Sequence, residues 1–173
     1  LKEKNNLIRE QQKKTEIGIV IKQDILENRA KSIYLAIGSN LGNKKENIDK
    51  AKFELIKENI NILQSSSFYE SLSWPNKKNP KFINIILRIN TNLKPIELLK
   101  KCKEIELNLG RIKSAKNSPR ICDIDIIDYN KIILTDKIIL PHPRMHTRNF
   151  VLLPLFEISR DWIHPISKHH IKR

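Results

Sequence analysis

Two alternating carboxylates and an arginine lie on a stretch that otherwise reads as an apolar β-strand, Pro-Arg-Ile-Cys-Asp-Ile-Asp-Ile-Ile-Asp at residues 119–128. Side chains two residues apart on a strand share a face, so Asp123 and Asp125 should converge while Ile124 and Ile126 pack on the other side. Two close carboxylates repel each other unless a cation lies between them. Sparse oxygen ligands of this kind suit Mg²⁺, which keeps several waters and completes its shell with substrate phosphates. The alternative is a strand whose polar face simply meets water.

Four arginines cluster around this stretch and give the region a phosphate-binding character. They are Arg111, Arg120, Arg144 and Arg148. Arginine offers a planar fork that fits phosphate with two hydrogen bonds, whereas lysine offers a point charge. The whole chain of 173 residues is basic, with a formal net charge of +14, but its lysines are spread throughout. The arginines therefore indicate a phosphate-bearing ligand more specifically than the net charge does.

The composition favours one folded domain in the cytoplasm, preceded by a polar extension. A chain of this length can bury one core. It has no run of about 18 apolar residues, and its start is too polar for a signal peptide, so no membrane association is expected. Cys102 and Cys122 fit no zinc or redox spacing, and we expect both to be buried and reduced. Residues 1–32 are predicted to be the extension, and residues 33–173 the domain.

The hydrophobic pattern predicts the element order strand, helix, strand, strand, helix, strand. The strands are expected at 32–37, 61–70, 82–91 and in the Asp-x-Asp stretch, and the helices at 44–58 and 96–109. This is the order of an α+β, ferredoxin-like fold, an antiparallel sheet with helices packed on it. A hairpin at 129–140, turning at Thr135-Asp136, and a C-terminal helix should follow.

The two helices should each turn an apolar stripe toward the sheet. For the first helix the predicted stripe is Ile48, Ala51, Phe53, Leu55 and Ile56, and for the second it is Leu98, Leu99, Cys102, Ile105 and Leu109. Pro95 is suited to the first turn of the second helix, and Gly110 is suited to its C-terminal cap.

Six short pieces occur in order along the chain, and no single piece is specific. They are Tyr-Leu-Ala-Ile-Gly-Ser-Asn-Leu-Gly at 34–42, Ser-Phe-Tyr at 67–69, Phe-Ile-Asn at 82–84, Ile-Glu-Leu with Gly-Arg at 105–111, Pro-Arg-Ile-Cys-Asp-Ile-Asp at 119–125, and Pro-His-Pro-Arg-Met-His with Arg-Asn-Phe at 141–150. Together they resemble 6-hydroxymethyl-7,8-dihydropterin pyrophosphokinase of folate biosynthesis, over about residues 33–166.

The resemblance implies an enzyme that transfers pyrophosphate from ATP to the hydroxymethyl group of 6-hydroxymethyl-7,8-dihydropterin and releases AMP. It implies two Mg²⁺ ions held by Asp123 and Asp125, which would act with Arg111 and Arg120 as the catalytic set. Phosphoryl transfer depends on positioning and on cations placed against phosphate charge, so these residue types fit the reaction. Nucleic acid is not expected as a partner, and some members are fused to other folate-pathway enzymes.

The resemblance also implies the two substrate sites. Lys113, His142 and Arg148 would bind ATP. The pterin would contact Ser71, Leu72, Asn84 and Phe150, because a flat heterocycle is held well by aromatic stacking and a side-chain amide. Glu106 is expected near the substrate-binding loops.

The chain departs from the family pattern at three places. Asn117-Ser118 stands where many members have Trp-Gly, in a loop about one residue shorter, so the lid formed by this loop should behave differently. Pro143 stands where some members have a tyrosine. The chain ends at Arg173, where relatives usually continue, so we expect either a shortened C-terminus or a further folate-pathway domain beyond it.

Several residues also have ordinary structural interpretations. His142 and His146 have a spacing that can bind zinc on a helix, although Pro143 breaks that helix and no third ligand is evident. Arg111 could cap the preceding helix. Asn84 could face solvent, and Phe150 could be plain core. Trp74 and Trp162 are interpreted as packing residues, although Trp74 lies on a loop that could fold over the pterin.

Two other functions fit parts of the pattern. A basic ferredoxin-like sheet could bind RNA, but that requires exposed aromatic residues on the central strands, where this chain has carboxylates. A polymerase-type nucleotidyltransferase also uses paired aspartates and two metals, and it would release pyrophosphate instead of AMP.

Overall fold

The computed structural model describes Thr15, residues 32–112 and residues 118–172. Apart from Thr15 and Ser32, the predicted N-terminal extension lies outside the described residues, and so does Lys113. Ser32 is buried, and its carbonyl accepts a hydrogen bond from the Asn130 N–H at 3.0 Å, so it packs with the domain. None of the described helices is both long and apolar enough to cross a membrane.

The described part of the domain contains the predicted order of elements. In chain order, the described strands and helices are β1 Ile33–Ser39, α1 Lys44–Lys57, β2 Asn61–Ser65, β3 Tyr69–Ser71, β4 Phe82–Asn90, α2 Pro95–Asn108, β5 Asp123–Tyr129, β6 Leu134–Thr135, β7 Ile139–Leu140, a 3₁₀ turn Met145–Thr147, and α3 Asn149–Ile158. Strands β6 and β7 form the predicted hairpin, which turns at residues 136–138, slightly later than expected.

The main sheet is antiparallel, with strand order β2-β4-β1-β5 and β3 paired beside β4. This is the strand order of the predicted ferredoxin-like fold. The run predicted as one strand at 61–70 is two strands, because the chain leaves the β2 register at Ser66. The Ser66 N–H donates to the Ile86 carbonyl at 2.9 Å, and its hydroxyl accepts from the Ile86 N–H at 2.9 Å. The chain then pairs again with β4 as β3.

Helices cover both faces of the sheet. On one face, α1 and α2 pack against β1, β4 and β5 through a core that includes Ile48, Leu55, Leu98, Cys102, Leu35, Leu87 and Ile124. On the other face, α3 packs through Val151, Leu155 and Ile158 against Tyr34, Ile86 and Ile127. Strand β1 lies between β4 and β5 and is buried from both sides, which explains its nearly continuous apolar sequence.

The predicted stripe of α2 is confirmed, whereas that of α1 is wrong at two positions. Ile48, Ala51 and Leu55 are buried, but Phe53 is 62% exposed and Ile56 is 54% exposed. At 100° per residue, the first three share one side of the helix and Phe53 lies on the opposite side. The buried face of α1 is therefore narrower than its number of apolar residues suggested.

Both cysteines are buried and neither forms a disulfide. Cys102 lies on the buried face of α2, and Cys122 lies just before β5; both pack in the hydrophobic core. Burial raises the pKa of each thiol to about 12, so neither side chain is an effective nucleophile near neutral pH. The expectation that both cysteines are buried is confirmed.

A bulge in β5 turns Asp128 toward the α3 side of the sheet. Ile126 pairs with Leu35 and Asp128 with Tyr34, so one extra residue is accommodated between these pairs. The Asp128 carboxylate is fully buried, and it accepts hydrogen bonds from Trp162 Nε1 at 2.8 Å and from the Lys131 N–H at 2.9 Å. Trp162 is thus a packing residue, as expected.

We expect Asp128 to make the stability of the domain depend on pH. Burial raises the pKa of Asp128 above its usual value of 3.8, although the bonds to Trp162 and Lys131 oppose the shift. A carboxyl group with a raised folded-state pKa contributes stability that is lost as pH increases through that pKa. The free energy of urea unfolding should therefore fall more steeply above pH 4 in the natural protein than in Asp128→Asn. Parallel pH profiles of the two proteins would contradict this expectation.

Candidate functional site

The Asp-x-Asp stretch is a strand with the predicted alternation. In β5, Asp123 and Asp125 are partly exposed, while Ile124 and Ile126 are buried in the core. Gly38 of β1 pairs with Asp123 on one side and with Asn84 of β4 on the other. Because residues paired across an antiparallel sheet share a face, this register brings a carboxylate and an amide to either side of a residue without a side chain.

Every predicted site residue that the structure describes lines the same cavity, whose volume is about 710 Å³. These residues are Ser71, Leu72, Asn84, Arg111, Arg120, Asp123, Asp125, His142, Arg148 and Phe150. They come from β3, β4, β5, α3 and the connecting loops. The structure thus brings the predicted residues together, and the role of each remains a prediction.

Asp123 holds two arginines at the floor of the cavity. Its Oδ1 accepts from Arg111 Nη1 at 2.8 Å, and its Oδ2 accepts from Arg120 Nη1 at 3.0 Å. The Arg111 guanidinium also pairs with the carboxylate of Glu106. The Arg111 side chain points to these carboxylates and does not cap the preceding helix, although the Arg111 N–H donates to the Glu106 carbonyl of α2 at 3.0 Å.

Glu106 is a buried carboxylate that organises this end of the site. It is 1% exposed, and it accepts from the Ile124 N–H at 2.6 Å and from Lys103 Nζ at 2.7 Å. Burial raises the pKa of Glu106, and the opposing attraction of Lys103 offsets part of that shift. Glu106 thereby joins α2, β5 and Arg111 behind the cavity wall.

Cations outnumber carboxylates on the described cavity wall. Lys103, Arg111, Arg120, Arg144 and Arg148 face only Asp123 and Asp125. Arg120 Nε is buried and has no hydrogen-bond partner within the described residues. Burial, together with the neighbouring Arg144, lowers the pKa of Arg148. Unpaired donors and crowded positive charge favour a ligand with several negative charges.

His142 lies beside Asp125 and lines the cavity. Burial lowers the pKa of His142, and Arg148 and Arg144 lower it further, whereas Asp125 raises it. Its Nδ1 accepts from the Arg144 N–H at 3.2 Å, so Nε2 carries the proton of the neutral ring. Nε2 lies 3.9 Å from Asp125 Oδ2 and is available as a donor to a ligand.

The zinc site considered from the sequence is not formed by the two histidines. His146 instead makes an edge-on contact with His164, with ring centroids 6.0 Å apart. Throughout the described ranges, no group of three or more His, Cys, Asp or Glu side chains could hold a metal ion. A metal at this site would therefore take Asp123 and Asp125 as its protein ligands and complete its shell from substrate and water.

The other end of the cavity is aromatic and neutral. Asn84 is 5% exposed, so the solvent-facing interpretation is wrong. Its Nδ2 donates to Ser71 Oγ at 2.9 Å and to the Tyr69 carbonyl at 3.3 Å. Phe150 packs partly on the α3 core and also lines the cavity. Aromatic rings beside an anchored amide form a suitable site for a flat heterocycle.

Sequence reasoning missed several residues of the cavity wall: Phe82, Lys103, Thr147 and Asn149. Trp74 is exposed and lines the cavity, so its interpretation as a packing residue is wrong. Phe82 had a usable signal, because it lies two residues before Asn84 on the same strand and must share its face. The Arg120 guanidinium lies 6.0 Å from the Phe82 ring centroid, and that of Arg148 lies 5.5 Å from the Phe150 ring centroid. Each aromatic residue is thus linked to an arginine of the charged end.

Known proteins are similar to this chain in sequence. The model of the family 7,8-dihydro-6-hydroxymethylpterin-pyrophosphokinase (HPPK) matches residues 34–160. The Folic acid synthesis protein FOL1 of Dictyostelium discoideum is 44% identical over 134 residues, which are 77% of this chain and 20% of the relative. The 2-amino-4-hydroxy-6-hydroxymethyldihydropteridine pyrophosphokinase of Aquifex aeolicus is 38% identical over 142 residues, which are 82% of this chain and 88% of the relative.

The fold is also similar to that of solved structures. A Plasmodium falciparum HPPK-DHPS with pteroate aligns with a TM-score of 0.65 at 15% identity, covering 82% of this chain and 41% of that one. This chain spans 19–20% of the length of the FOL1 proteins that it matches in sequence. The match over residues 34–160 includes the Asp-x-Asp strand, the arginines and the aromatic end of the cavity. The chain therefore belongs to the 7,8-dihydro-6-hydroxymethylpterin-pyrophosphokinase family.

Proposed function

We propose that this chain transfers pyrophosphate from ATP to the hydroxymethyl group of 6-hydroxymethyl-7,8-dihydropterin in tetrahydrofolate biosynthesis. The observation that carries the proposal is one cavity with two contrasting ends. Asp123, Asp125 and the arginines form a charged end, and Asn84 and the aromatic residues form a neutral end. A triphosphate and a pterin match these two ends, and their reacting groups would meet between them.

The pterin is proposed to lie at the neutral end, between Phe82 and Phe150. Asn84 would bind its edge, since Asn84 Oδ1 accepts no hydrogen bond within the described part of the domain while Nδ2 is fixed by Ser71 and Tyr69. An anchored amide keeps its free oxygen in a defined direction, which selects a donor on the ligand. Leu72 would add apolar cover from the adjacent loop.

ATP is proposed to lie at the charged end. Arg111 and Arg120 would bind the phosphates, and His142 and Arg148 would contact the nucleotide. Asp123 forms ion pairs with both Arg111 and Arg120, so its single negative charge leaves positive charge at this end of the cavity. Asp123 thus holds both guanidinium groups in place before the nucleotide binds, and phosphate oxygens would then compete with Asp123 for them. Lys113 is proposed as a further ATP contact.

Asp123 and Asp125 are proposed to hold two Mg²⁺ ions. The described residues offer Asp125 no hydrogen bond; Lys103 Nζ lies 4.0 Å and His142 Nε2 3.9 Å from its oxygens, so the carboxylate can accept a metal. Asp123 is proposed as the second protein ligand of this metal site. When bound, Mg²⁺ would supply positive charge against the triphosphate and favour ionisation of the attacking hydroxyl group. The hydroxyl oxygen attacks the β-phosphorus, and AMP leaves.

The test is a ³¹P NMR time course of the protein with ATP, Mg²⁺ and 6-hydroxymethyl-7,8-dihydropterin, with a control that omits the pterin. We expect AMP and a new diphosphate ester to appear only when the pterin is present. Release of pyrophosphate would instead indicate a nucleotidyltransferase. A folded protein that consumes no ATP in either mixture would reject the proposed reaction.

Replacing Gly38 with alanine is expected to weaken pterin binding selectively. The added Cβ would lie 3.0 Å from Asn84 Oδ1, which is closer than most Cβ contacts, and 3.4 Å from Phe82 Cδ1, which is about ordinary contact distance. Asn84 would have to shift from its bonds to Ser71 and Tyr69, and such displacements reduce binding and rate. We expect KM for the pterin to rise about tenfold. KM for ATP should stay within about twofold, and an equal rise in both constants would contradict this assignment.

A further inference from the structure

Asn40 lies just beyond β1, at a point where three chain segments meet. It is 2% exposed and is not part of the cavity wall. Its Oδ1 accepts from the Arg120 N–H at 2.7 Å, and its own N–H donates to the Arg120 carbonyl at 3.2 Å. Its Nδ2 donates to Ser73 Oγ and to the Pro80 carbonyl, both at 3.2 Å. One buried amide therefore links Arg120 to the loop between β3 and β4.

The loop that Asn40 holds carries residues of the neutral end. Ser73 and Pro80 form its base, because Ser73 Oγ also donates to the Pro80 carbonyl at 2.6 Å. Leu72 and Trp74, on either side of Ser73, line the cavity. Trp74 is 71% exposed at the cavity rim, while Ser73 is buried. The loop is thus fixed at its base by buried polar contacts and presents its apolar residues to the ligand.

Arg120 is the other segment that Asn40 holds, and it belongs to the charged end. Its side chain contacts Asp123 and lies over the Phe82 ring. The two main-chain groups of Arg120 are both bonded to Asn40. If the main chain of Arg120 shifts, its guanidinium shifts with it. A displacement of about 1 Å at a reacting group can lower the rate by a factor of about 100.

We propose that Asn40 is a positioning residue that sets the pterin-side loop and Arg120 relative to each other, so that one amide aligns the two ends of the cavity. It acts through these two segments and touches neither substrate. The inference rests on the proposed function, because the two ends are assigned there to the pterin and to ATP.

The chemistry of the amide explains why asparagine suits this position. Only an amide supplies an acceptor on one side and two donors on the other. In Asn40→Asp the carboxylate still accepts from the Arg120 N–H, but it has no donor for Ser73 Oγ and the Pro80 carbonyl. In Asn40→Ala both side-chain links are lost, and the bond from the residue's own N–H remains. The two variants therefore separate the loop contact from the arginine contact.

Asn47 provides a matched control in the same region. Its Nδ2 donates to Ser39 Oγ at 3.2 Å and to the Leu41 carbonyl at 2.8 Å. Asn47 thus ties the β1–α1 turn together with an amide of the same type. Within the described residues it forms no hydrogen bond with Arg120 or the β3–β4 loop, and it does not line the cavity. Asn47→Ala should lower thermal stability through the loss of two side-chain hydrogen bonds, against three in Asn40→Ala.

The experiment measures kcat, both KM values and the thermal unfolding temperature for the natural protein and the three variants. We expect Asn40→Ala to raise KM for ATP and for the pterin about tenfold each and to lower kcat about tenfold. Asn40→Asp should raise KM for the pterin about tenfold and leave KM for ATP within about twofold. Asn47→Ala should leave all three constants within about twofold. Isothermal titration with the pterin and a non-hydrolysable ATP analogue checks the affinities without turnover.

Three results would overturn the positioning role. Kinetic constants of Asn40→Ala within twofold of the natural protein would show that the link has no effect on the site. Equal kinetic losses in Asn40→Ala and Asn47→Ala would show that activity follows stability alone. If Asn40→Ala does not fold, Asn40→Asp decides, because unchanged pterin affinity in that variant also rejects the proposal. Failure of the natural protein to form AMP would reject the proposed function instead.

Discussion

Replacing Asp123 or Asp125 with alanine is expected to lower kcat by about three orders of magnitude or more, while the domain stays folded. Each substitution removes one of the two carboxylates on the described cavity wall. The reaction depends on positive charge held against phosphate oxygens, and a factor of 1,000 corresponds to about 4 kcal/mol of transition-state stabilisation. The rate of AMP formation at saturating substrates measures the effect.

The control for this prediction is Asp136→Ala, which removes an exposed carboxylate in the β6–β7 turn, away from the cavity. Its kcat should be within about twofold of that of the natural protein. Binding of Mn²⁺ in the presence of a non-hydrolysable ATP analogue, followed by electron paramagnetic resonance, should weaken in Asp123→Asn and Asp125→Asn. Activity within tenfold of the natural protein in either alanine variant would reject the metal-ligand assignment.

Replacing Arg120 with alanine is expected to reduce kcat by a factor of about 100 to 1,000. Arg120 donates to Asp123 through Nη1 and keeps Nε buried without a partner in the described segments. The rest of the Arg120 guanidinium lines the cavity, where it can donate to a phosphate oxygen, and that interaction should strengthen as charge develops in the transition state. Arg120→Lys should recover less than a tenth of the natural rate, because an ammonium group cannot reproduce the planar fork.

Arg160→Ala is the matched control for this second prediction. Arg160 is exposed, lies near the Phe156 ring and is not among the residues that line the cavity. It removes the same charge from the protein surface, so it corrects for the general attraction between a basic protein and ATP. We expect its kcat to be unchanged and its KM for ATP to rise by less than about twofold. Comparable kcat losses in Arg120→Ala and Arg160→Ala would contradict a specific role for Arg120.

The fold was largely predictable because its signals are local. Alternating side chains in β5 and the apolar spacing of α2 identify buried faces directly, since strand and helix periodicities follow from backbone geometry. Where that rule failed, a nonlocal contact explains the failure. The run at 61–70 has β-type composition throughout, yet Ser66 bonds with Ile86 and divides it into two strands. Likewise, the apolar Phe53 did not reveal that its side of α1 faces away from the sheet.

The candidate site was predictable where a motif carries it. The Asp-x-Asp pattern, the arginine cluster and the six ordered pieces identified residues that the structure places around one cavity. Glu106 and Asn40 also lie in these pieces, but the pattern did not reveal their contacts, because both are buried polar residues that bond to distant segments. Glu106 accepts from the Ile124 N–H, and Asn40 from the Arg120 N–H, across 18 and 80 residues of sequence. No local periodicity predicts such a partner.

The sequence by itself determined the order of elements, the two faces of β5 and the types of residue available for binding phosphate and pterin. Those properties depend on neighbours along the chain and on side-chain chemistry. Only the tertiary structure decided the register that sets Gly38 between Asn84 and Asp123, and the contacts of Asn40 with two distant segments. These pairings are selected by the packing of the whole sheet, because a shift of one residue would turn every side chain of a strand to its other face.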